Sequence, residues 1–94
     1  MLFLLNKTRS NFLDLIRLLS GDDDQKEVLL IGDAVYYGVD LMAGRLAEMG
    51  VKKIYVSKPC LASRSVRLSS VCVPLDYAEM VPLIMEEHEK IVSI

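Results

Sequence analysis

Along this 94-residue chain, four short apolar runs alternate with stretches that have helical spacing. The runs are Met1–Leu5, Val28–Ile31, Lys53–Ser57 and Val71–Leu75. Apolar runs of this length without polar alternation are typical of strands buried on both faces. Strands separated by helices form parallel βαβ units. The sequence therefore predicts an α/β domain with a small, mostly parallel sheet of four to five strands, in which Lys90–Ile94 can add an edge strand.

The second run is expected to be the central strand, because Val28–Ile31 is entirely aliphatic. Beyond Gly32-Asp33-Ala34, apolar residues recur at helical spacing until Gly50, a residue type that commonly stops helices. These apolar residues are Val35, Val39, Met42, Leu46 and Met49. The pattern predicts one helix between the second and third strands.

Another helix is predicted between the first two strands. Ser10 or Asn11 can cap it, because a short polar side chain accepts hydrogen bonds from the free N–H groups of a first helical turn. Its apolar face includes Ile16, and Gly21 ends it. The run Asp22–Asp24 that follows is most simply a solvated connection.

The second half of the chain is less regular. Lys58-Pro59 should end the third strand, because proline lacks the N–H group that a strand ladder needs. Residues 60–70 predict no more than a short helical turn from Leu61 to Val66. After the fourth strand, Asp76 should cap a last helix, in which Pro82 introduces a kink.

Size and composition indicate one domain. A chain of 94 residues supports one hydrophobic core, so we expect a single domain over residues 1–94. Hydrophobic residues make up 52% of the chain and Trp is absent, which predicts an aliphatic core. For so small a domain, this richness also predicts an apolar surface that another subunit covers. We therefore expect an oligomer.

Charge and hydropathy disfavour two classes of partner. A net charge of −2 argues against independent nucleic-acid binding, since phosphate contacts need a dominant basic face. The first apolar run is too short for a signal-peptide core and is interrupted by Asn6 and Lys7. No other apolar run approaches the roughly 18 residues that span a bilayer. We expect a cytoplasmic protein without a membrane segment.

The chain has two cysteines, Cys60 and Cys72, and one histidine, His88. Their number and spacing do not fit a structural zinc site, so we expect no metal, no cofactor and two reduced thiols. Cys72 lies within an apolar strand, where a free cysteine packs as a small hydrophobic residue. His88 lies among acidic residues and is assigned no role.

Cys60 is the candidate catalytic residue. It should lie in the loop beyond the third strand, at the carboxyl edge where parallel sheets place their ligands. Lys58, Arg64 and Arg67 are nearby in sequence, and cations stabilise the thiolate, the form that accepts or attacks sulfur. An unreactive thiol is the simpler alternative, because no general base is placed beside it.

Asp33, Tyr36 and Tyr37 follow the central strand. Asp33 is most simply a helix cap, and a functional carboxylate is the alternative. At least one of the two tyrosines must point away from the apolar stripe of the helix. An exposed tyrosine there would suit a subunit interface, and core filling is equally open.

The residues from Glu27 to Tyr37, Glu-Val-Leu-Leu-Ile-Gly-Asp-Ala-Val-Tyr-Tyr, resemble the DsrH/TusB family, where a hydrophobic strand leads into a short polar-Gly-Val-aromatic turn and a helix. Lys53–Val56 resembles the family's next strand, Leu61–Arg64 its Leu-Ala-Arg-Gly turn, and Asp76-Tyr77 the start of its closing helix. Two positions depart from the pattern: Ala34 replaces the usual glycine, and the arginine of the turn is shifted by one residue. The likeness covers nearly the whole chain in order and spacing.

The resemblance implies a three-layer α/β/α fold and membership in a sulfur-relay complex like the DsrEFH or TusBCD assemblies, which pass sulfur as a cysteine persulfide. Its partners would be DsrE/TusD-like and DsrF/TusC-like subunits, or further copies of itself. Because the DsrE/TusD subunit usually carries the relay cysteine, we expect an interaction role rather than catalysis by this chain alone. The sulfur would reach 2-thiouridine at the wobble position of transfer RNA in the Tus branch, or sulfur oxidation in the Dsr branch. The interface candidates are Asp33, Tyr36, Tyr37 and Arg64.

Two other functions stay open. One is a persulfide carrier that acts through Cys60, and the other is a small-ligand-binding module of flavodoxin-like shape. The second has less support, because Gly32-Asp33-Ala34 contains one glycine and no Ser/Thr-rich turn to hold a phosphate.

Overall fold

The computed structural model describes residues 1–8, 11–20, 25–85 and 90–94, without the side chain of Ser20. Within these ranges the strands are β1 (Leu2–Leu5), β2 (Glu27–Leu30), β3 (Ile54–Ser57), β4 (Cys72–Leu75) and β5 (Ile91–Ser93). The helices are α1 (Phe12–Ser20), a 3₁₀ helix (Gly32–Tyr37), α2 (Asp40–Glu48), α3 (Lys58–Ala62) and α4 (Tyr77–Met85). The predictions for Ser10, Gly21, Asp22–Asp24 and His88 lie outside the described residues.

The strands form one sheet in the order β4-β3-β2-β1-β5, and every neighbouring pair is parallel. The predicted mostly parallel sheet is therefore confirmed, with β2 at its centre. Leu29 aligns with Leu4 on β1 and with Tyr55 on β3. Because aligned residues of neighbouring strands share a face, alternate positions of each apolar run supply two separate cores.

Each face of the sheet is covered by helices. Phe3, Val28 and Val56 face one core, together with residues of α1, the 3₁₀ helix and α2. Leu2, Leu29 and other alternate strand residues face the second core, with Met80 and Leu83 of α4. The three-layer arrangement explains why the strands are apolar on both sides, and it confirms the expected α/β/α fold.

The order of the strands explains why α4 lies apart from α1 and α2. From β1 to β4 each strand is added on the same side of its predecessor, whereas the chain then crosses back to place β5 beside β1. Crossovers between parallel strands are right-handed, so a reversal of direction moves the connecting helix to the opposite face. The second face is consequently covered, among the described elements, chiefly by α4.

The prediction of one helix over residues 35–49 is wrong in its continuity. The segment is a 3₁₀ helix followed by α2, with a break at Gly38 and Val39. The Gly38 carbonyl accepts the Ser69 N–H at 2.7 Å, and the Cys72 thiol lies 3.7 Å from it. Since this carbonyl is held by the connection to β4, it does not extend the helix. Gly50 ends the segment as predicted, with a φ of 86°.

The short helical turn predicted from Leu61 to Val66 is also misplaced. Helix α3 starts directly after β3, at Lys58. The Ser57 hydroxyl accepts the Cys60 N–H at 3.4 Å, which caps the first turn, and Pro59 fits there because its missing N–H is not needed. The strand does end before Lys58-Pro59, as predicted.

The predicted cap of the last helix is confirmed. The Asp76 carboxylate accepts the Glu79 N–H at 3.1 Å, and the Glu79 carboxylate accepts the Asp76 N–H at 3.3 Å. This reciprocal pair is a capping box. Pro82 lies within α4 without ending it.

Candidate functional site

The thiol of Cys60 lies at the carboxyl edge of the sheet, as predicted, but in α3 rather than in a loop. The Gly32 N–H, just beyond β2, donates a hydrogen bond to Cys60 Sγ at 3.2 Å. The carboxyl ends of β2 and β3 meet here because the two strands are parallel neighbours. Cys60 is half-buried and free.

Asp33 and Arg64 form an ion pair beside this thiol. Arg64 Nη2 and Nε donate to Asp33 Oδ1 at 2.8 and 3.2 Å, and Arg64 Nη1 donates to the Cys60 carbonyl at 3.1 Å. The hydrogen bond with Asp33 raises the pKa of Arg64 above its usual value. The simpler interpretation of Asp33 as a helix cap is wrong, because Asp33 lies inside the 3₁₀ helix and its carboxylate pairs with Arg64. The pair ties the 3₁₀ helix that follows β2 to the residues just beyond α3.

An apolar groove of about 280 Å³ opens next to Cys60, between the sheet and α4. It is lined by Leu29, Ile31, Gly32, Ser57, Cys60, Tyr77, Met80, Val81 and Ile84. A groove of this composition offers an apolar contact surface with one thiol and little to orient a polar ligand. Among its lining residues there is no set of donors for a phosphate group.

The outer side of α4 carries an exposed apolar stripe, which we call the α4 surface: Tyr77, Val81 and Met85. These side chains are 69%, 59% and 75% exposed. Tyr77 and Val81 also line the groove, so the two features are continuous. Val73 of β4 is also exposed. Cys72 faces the first core and Leu75 faces the second. Because successive residues of a strand point to opposite faces, Val73 lies on the face of Leu75, which is the face that α4 covers. Contiguous exposed apolar side chains are typical of interaction surfaces.

The two tyrosines after the central strand differ in environment. Tyr36 is exposed, whereas Tyr37 is half-buried and its ring stacks on Phe12 with centroids 4.4 Å apart. The expectation that at least one points outward is confirmed. Tyr37 joins α1 to the 3₁₀ helix by packing.

Cys72 is part of the core, as predicted. It is 5% exposed and packs among the residues of the first core. Burial, with a smaller contribution from Asp40, raises its pKa to about 11. The thiol is therefore protonated at neutral pH.

Within the described ranges, no three side chains of the types that hold metal ions come together. Among these same residues, no helix has both the length and the apolar character that crossing a membrane requires.

The sequence did not reveal the α4 surface or the groove. The spacing of the three residues contains a clue, because Tyr77, Val81 and Met85 are four residues apart and so share a side of a helix. Their hydrophobicity alone does not show that they are exposed while Met80 and Leu83 are buried. The contact between Gly32 and Cys60 joins residues that are 28 positions apart, which no local pattern encodes.

A five-stranded parallel sheet in three layers, with one free thiol at its carboxyl edge, defines a small α/β protein. The family model described as DsrH like protein matches residues 7–90, which is most of the chain. The chain belongs to this family, whose members are in general subunits of sulfur-relay complexes and work with other subunits. No curated protein matches the chain.

Proposed function

We propose that the chain, as a single domain over residues 1–94, is an interaction subunit of a cytoplasmic sulfur-relay complex and binds its partner through the α4 surface. The partners are DsrE/TusD-like and DsrF/TusC-like subunits. The observation that carries the proposal is the exposure of Tyr77, Val81 and Met85 in a family that works in complexes. Burying one large apolar side chain contributes roughly 1.5–3 kcal/mol, so three partly exposed ones favour association.

The position of the α4 surface connects binding to sulfur transfer. Because Tyr77 and Val81 line the groove that contains Cys60, a subunit seated on α4 closes this groove. An enclosed groove keeps other thiols away from a persulfide, whose S–S bond they would break by exchange. The chain thereby shields a transfer step even when the relay cysteine belongs to the partner.

The carboxyl edge supplies candidates for a second contact. Asp33, Tyr36 and Arg64 are partly or fully exposed there, beside the thiol. Tyr36 is the strongest, since exposed tyrosines are enriched in interfaces. An interface role for Tyr37 stays a prediction, although its ring is used in packing.

Co-purification tests the partners. The tagged chain, and variants Val81→Glu and Leu41→Glu, are expressed in native cells, and the retained proteins are identified by mass spectrometry. Leu41 is a matched control, because it is 70% exposed on α2, away from α4. We expect DsrE-like and DsrF-like subunits with the unmodified chain and with Leu41→Glu, and a loss of at least one of them with Val81→Glu. Equal recovery in all three samples contradicts the proposed surface.

A gene deletion in the same cells tests where the sulfur is delivered. Transfer-RNA thiolation at the wobble uridine and sulfur oxidation are both compatible with the family. Deleting the gene lowers 2-thiouridine in the first case and leaves it unchanged in the second. With a net charge of −2, we assign direct contact with transfer RNA to another subunit.

A persulfide carrier that acts through Cys60 is the second candidate function. Its support is the Gly32 N–H directed at Sγ, together with the adjacent Arg64 and the groove. In such a step the Cys60 thiolate attacks the outer sulfur of a donor persulfide. The S–S bond of the donor breaks as the new S–S bond to Cys60 forms, and the donor leaves as a thiolate. Incubation with a persulfide donor should add one sulfur atom to the chain but not to Cys60→Ser. An unmodified Cys60, under conditions that load a known relay protein, eliminates this candidate.

A further inference from the structure

The outer edge of β5 presents unpaired backbone groups. Toward β1, the Leu2 N–H donates to the Lys90 carbonyl and the Ile94 N–H donates to the Leu4 carbonyl, each at 3.0 Å. Backbone groups of successive residues in a strand point to opposite sides, so the N–H and C=O of Ile91 and Ser93 point away from β1. No described residue pairs with these four groups.

The two edges of the sheet differ in chemistry. The edge strand β4 contains Pro74, which lacks an N–H group and is typical of edges that do not accept another strand. Residues 91–94 of the β5 edge contain neither proline nor a charged side chain. The β4 edge therefore contains a residue that blocks the addition of another strand, whereas residues 91–94 of the β5 edge contain no proline or charged side chain that would do so.

We propose that β5 pairs antiparallel with β5 of a second copy of this chain, with the two-fold axis at Val92. In this register Ile91 lies opposite Ser93 of the second copy, and Ser93 lies opposite its Ile91. Each pair exchanges two N–H···O=C hydrogen bonds, which gives four bonds and uses all eight outward groups. The two sheets become one sheet of ten strands.

The side chains fit the same register. Val92 aligns with Phe3, so the two Val92 side chains of the dimer meet on the face of the first core. Ile91 is exposed on the opposite face and lies against the small Ser93 of the second copy. Lys90 lies opposite Ile94, so like charges do not face each other. The pairing is self-complementary in backbone, shape and charge, which selects a second copy as the occupant.

This dimer goes beyond the proposed relay function and does not depend on it. Helix α4 contacts β4, at the other edge of the sheet, so a relay partner and a second copy occupy different surfaces. If β5 does not pair, the proposal that a relay partner binds the α4 surface is unaffected. If no partner binds the α4 surface, the proposed β5 dimer is likewise unaffected.

Cysteine cross-linking tests the register. In a Cys60→Ser background, Val92→Cys places two thiols opposite each other at a non-hydrogen-bonded pair, where Cα atoms are about 4.5 Å apart and a disulfide can form. Ser93→Cys is the matched control, because its two copies are displaced by two residues and lie roughly 8 Å apart. We expect oxidation to yield a covalent dimer of Val92→Cys and little of Ser93→Cys. Equal yields, or none from Val92→Cys, overturn the proposal.

Sedimentation provides a second test without introduced cysteines. Ser93→Pro removes one outward N–H and leaves the bonds to β1 intact, whereas Ser93→Ala keeps the N–H. We expect the unmodified chain and Ser93→Ala to dimerise with rising concentration and Ser93→Pro to stay monomeric, with circular dichroism of all three alike. A monomeric unmodified chain, or a Ser93→Pro dimer of equal strength, overturns the proposal.

Discussion

The two thiols of this protein have different surroundings. Cys72 is enclosed by the first core, and its thiol donates to the Gly38 carbonyl at 3.7 Å. Cys60 lies at a groove and accepts a backbone N–H. The core position of Cys72 was readable from the sequence, because it falls in an apolar run. A reactive role for Cys60 stays a prediction.

Alkylation should distinguish the two thiols. With a pKa of about 11, Cys72 is only ~0.1% ionised at pH 8, and its burial slows access further. We expect iodoacetamide to modify Cys60 first in the folded protein, as read by mass spectrometry, with Cys72 reacting faster as the pH approaches 11. In denaturant both should react. Labelling of folded Cys72 at pH 8 as fast as Cys60 contradicts the assignment.

Two glycines give opposite predictions for the same substitution. Gly32 has a φ of 55°, and an added Cβ would lie 2.9 Å from the Asn6 carbonyl oxygen. Gly44 lies within α2, and nothing lies within 4 Å of an added Cβ. We expect Gly32→Ala to lower the free energy of unfolding by at least about 1–2 kcal/mol. Gly44→Ala should raise it by about 0.5–1 kcal/mol.

Urea denaturation measures both changes. If Gly32→Ala leaves the free energy of unfolding unchanged, the tight turn between β2 and the 3₁₀ helix is not formed as described.

At the level of elements, α4 depends on its capping box. Asp76→Ala removes the acceptor of the Glu79 N–H, and loss of such a cap costs about 1 kcal/mol. Asp76→Asn keeps an acceptor oxygen and should be close to neutral. Thermal unfolding of the two variants provides the comparison, and equal stabilities would show that the cap does not stabilise α4.

All five strands could be predicted from the sequence. In β1, β2 and β3, burial on both faces leaves an almost unbroken apolar pattern. The edge strands β4 and β5 were readable as short, largely apolar runs, although several of their residues are exposed. The Asp76 cap and the Gly50 stop were readable for the same reason, since both are local features. The break at Gly38 was not, because it depends on Ser69 and Cys72, which lie more than thirty positions away. The start of α3 had a local signal in Ser57 followed by Pro59, which was interpreted only as the end of a strand.

The candidate site was only partly predictable. The carboxyl-edge position of Cys60 follows from strand order, whereas its contacts with Gly32 and the pair of Asp33 with Arg64 arise from parallel packing of β2 and β3. An ion pair this exposed is screened by water, so it orients the residues around α3 more than it stabilises the protein.

For the whole molecule, the two faces of the sheet are covered by different numbers of helices, and this difference determines where apolar surface is left exposed. The chain reversal before β5 assigns α4 to a face opposite α1 and α2. This helix buries Met80 and Leu83 against the sheet and leaves Tyr77, Val81 and Met85 outside. An exposed apolar surface of the kind that the composition predicts thus lies on α4, and we propose that another subunit covers it.

The most direct measurement is a binding titration of the purified chain with the DsrE-like subunit from the same cell, by calorimetry. We expect Val81→Glu to weaken binding at least about tenfold, since a charge placed in an apolar contact costs more than ~1.4 kcal/mol. Leu41→Glu should bind as the unmodified chain does. Binding that is the same for all three proteins, or absent for the unmodified chain, would contradict the proposal that α4 is the surface through which this subunit enters a sulfur relay.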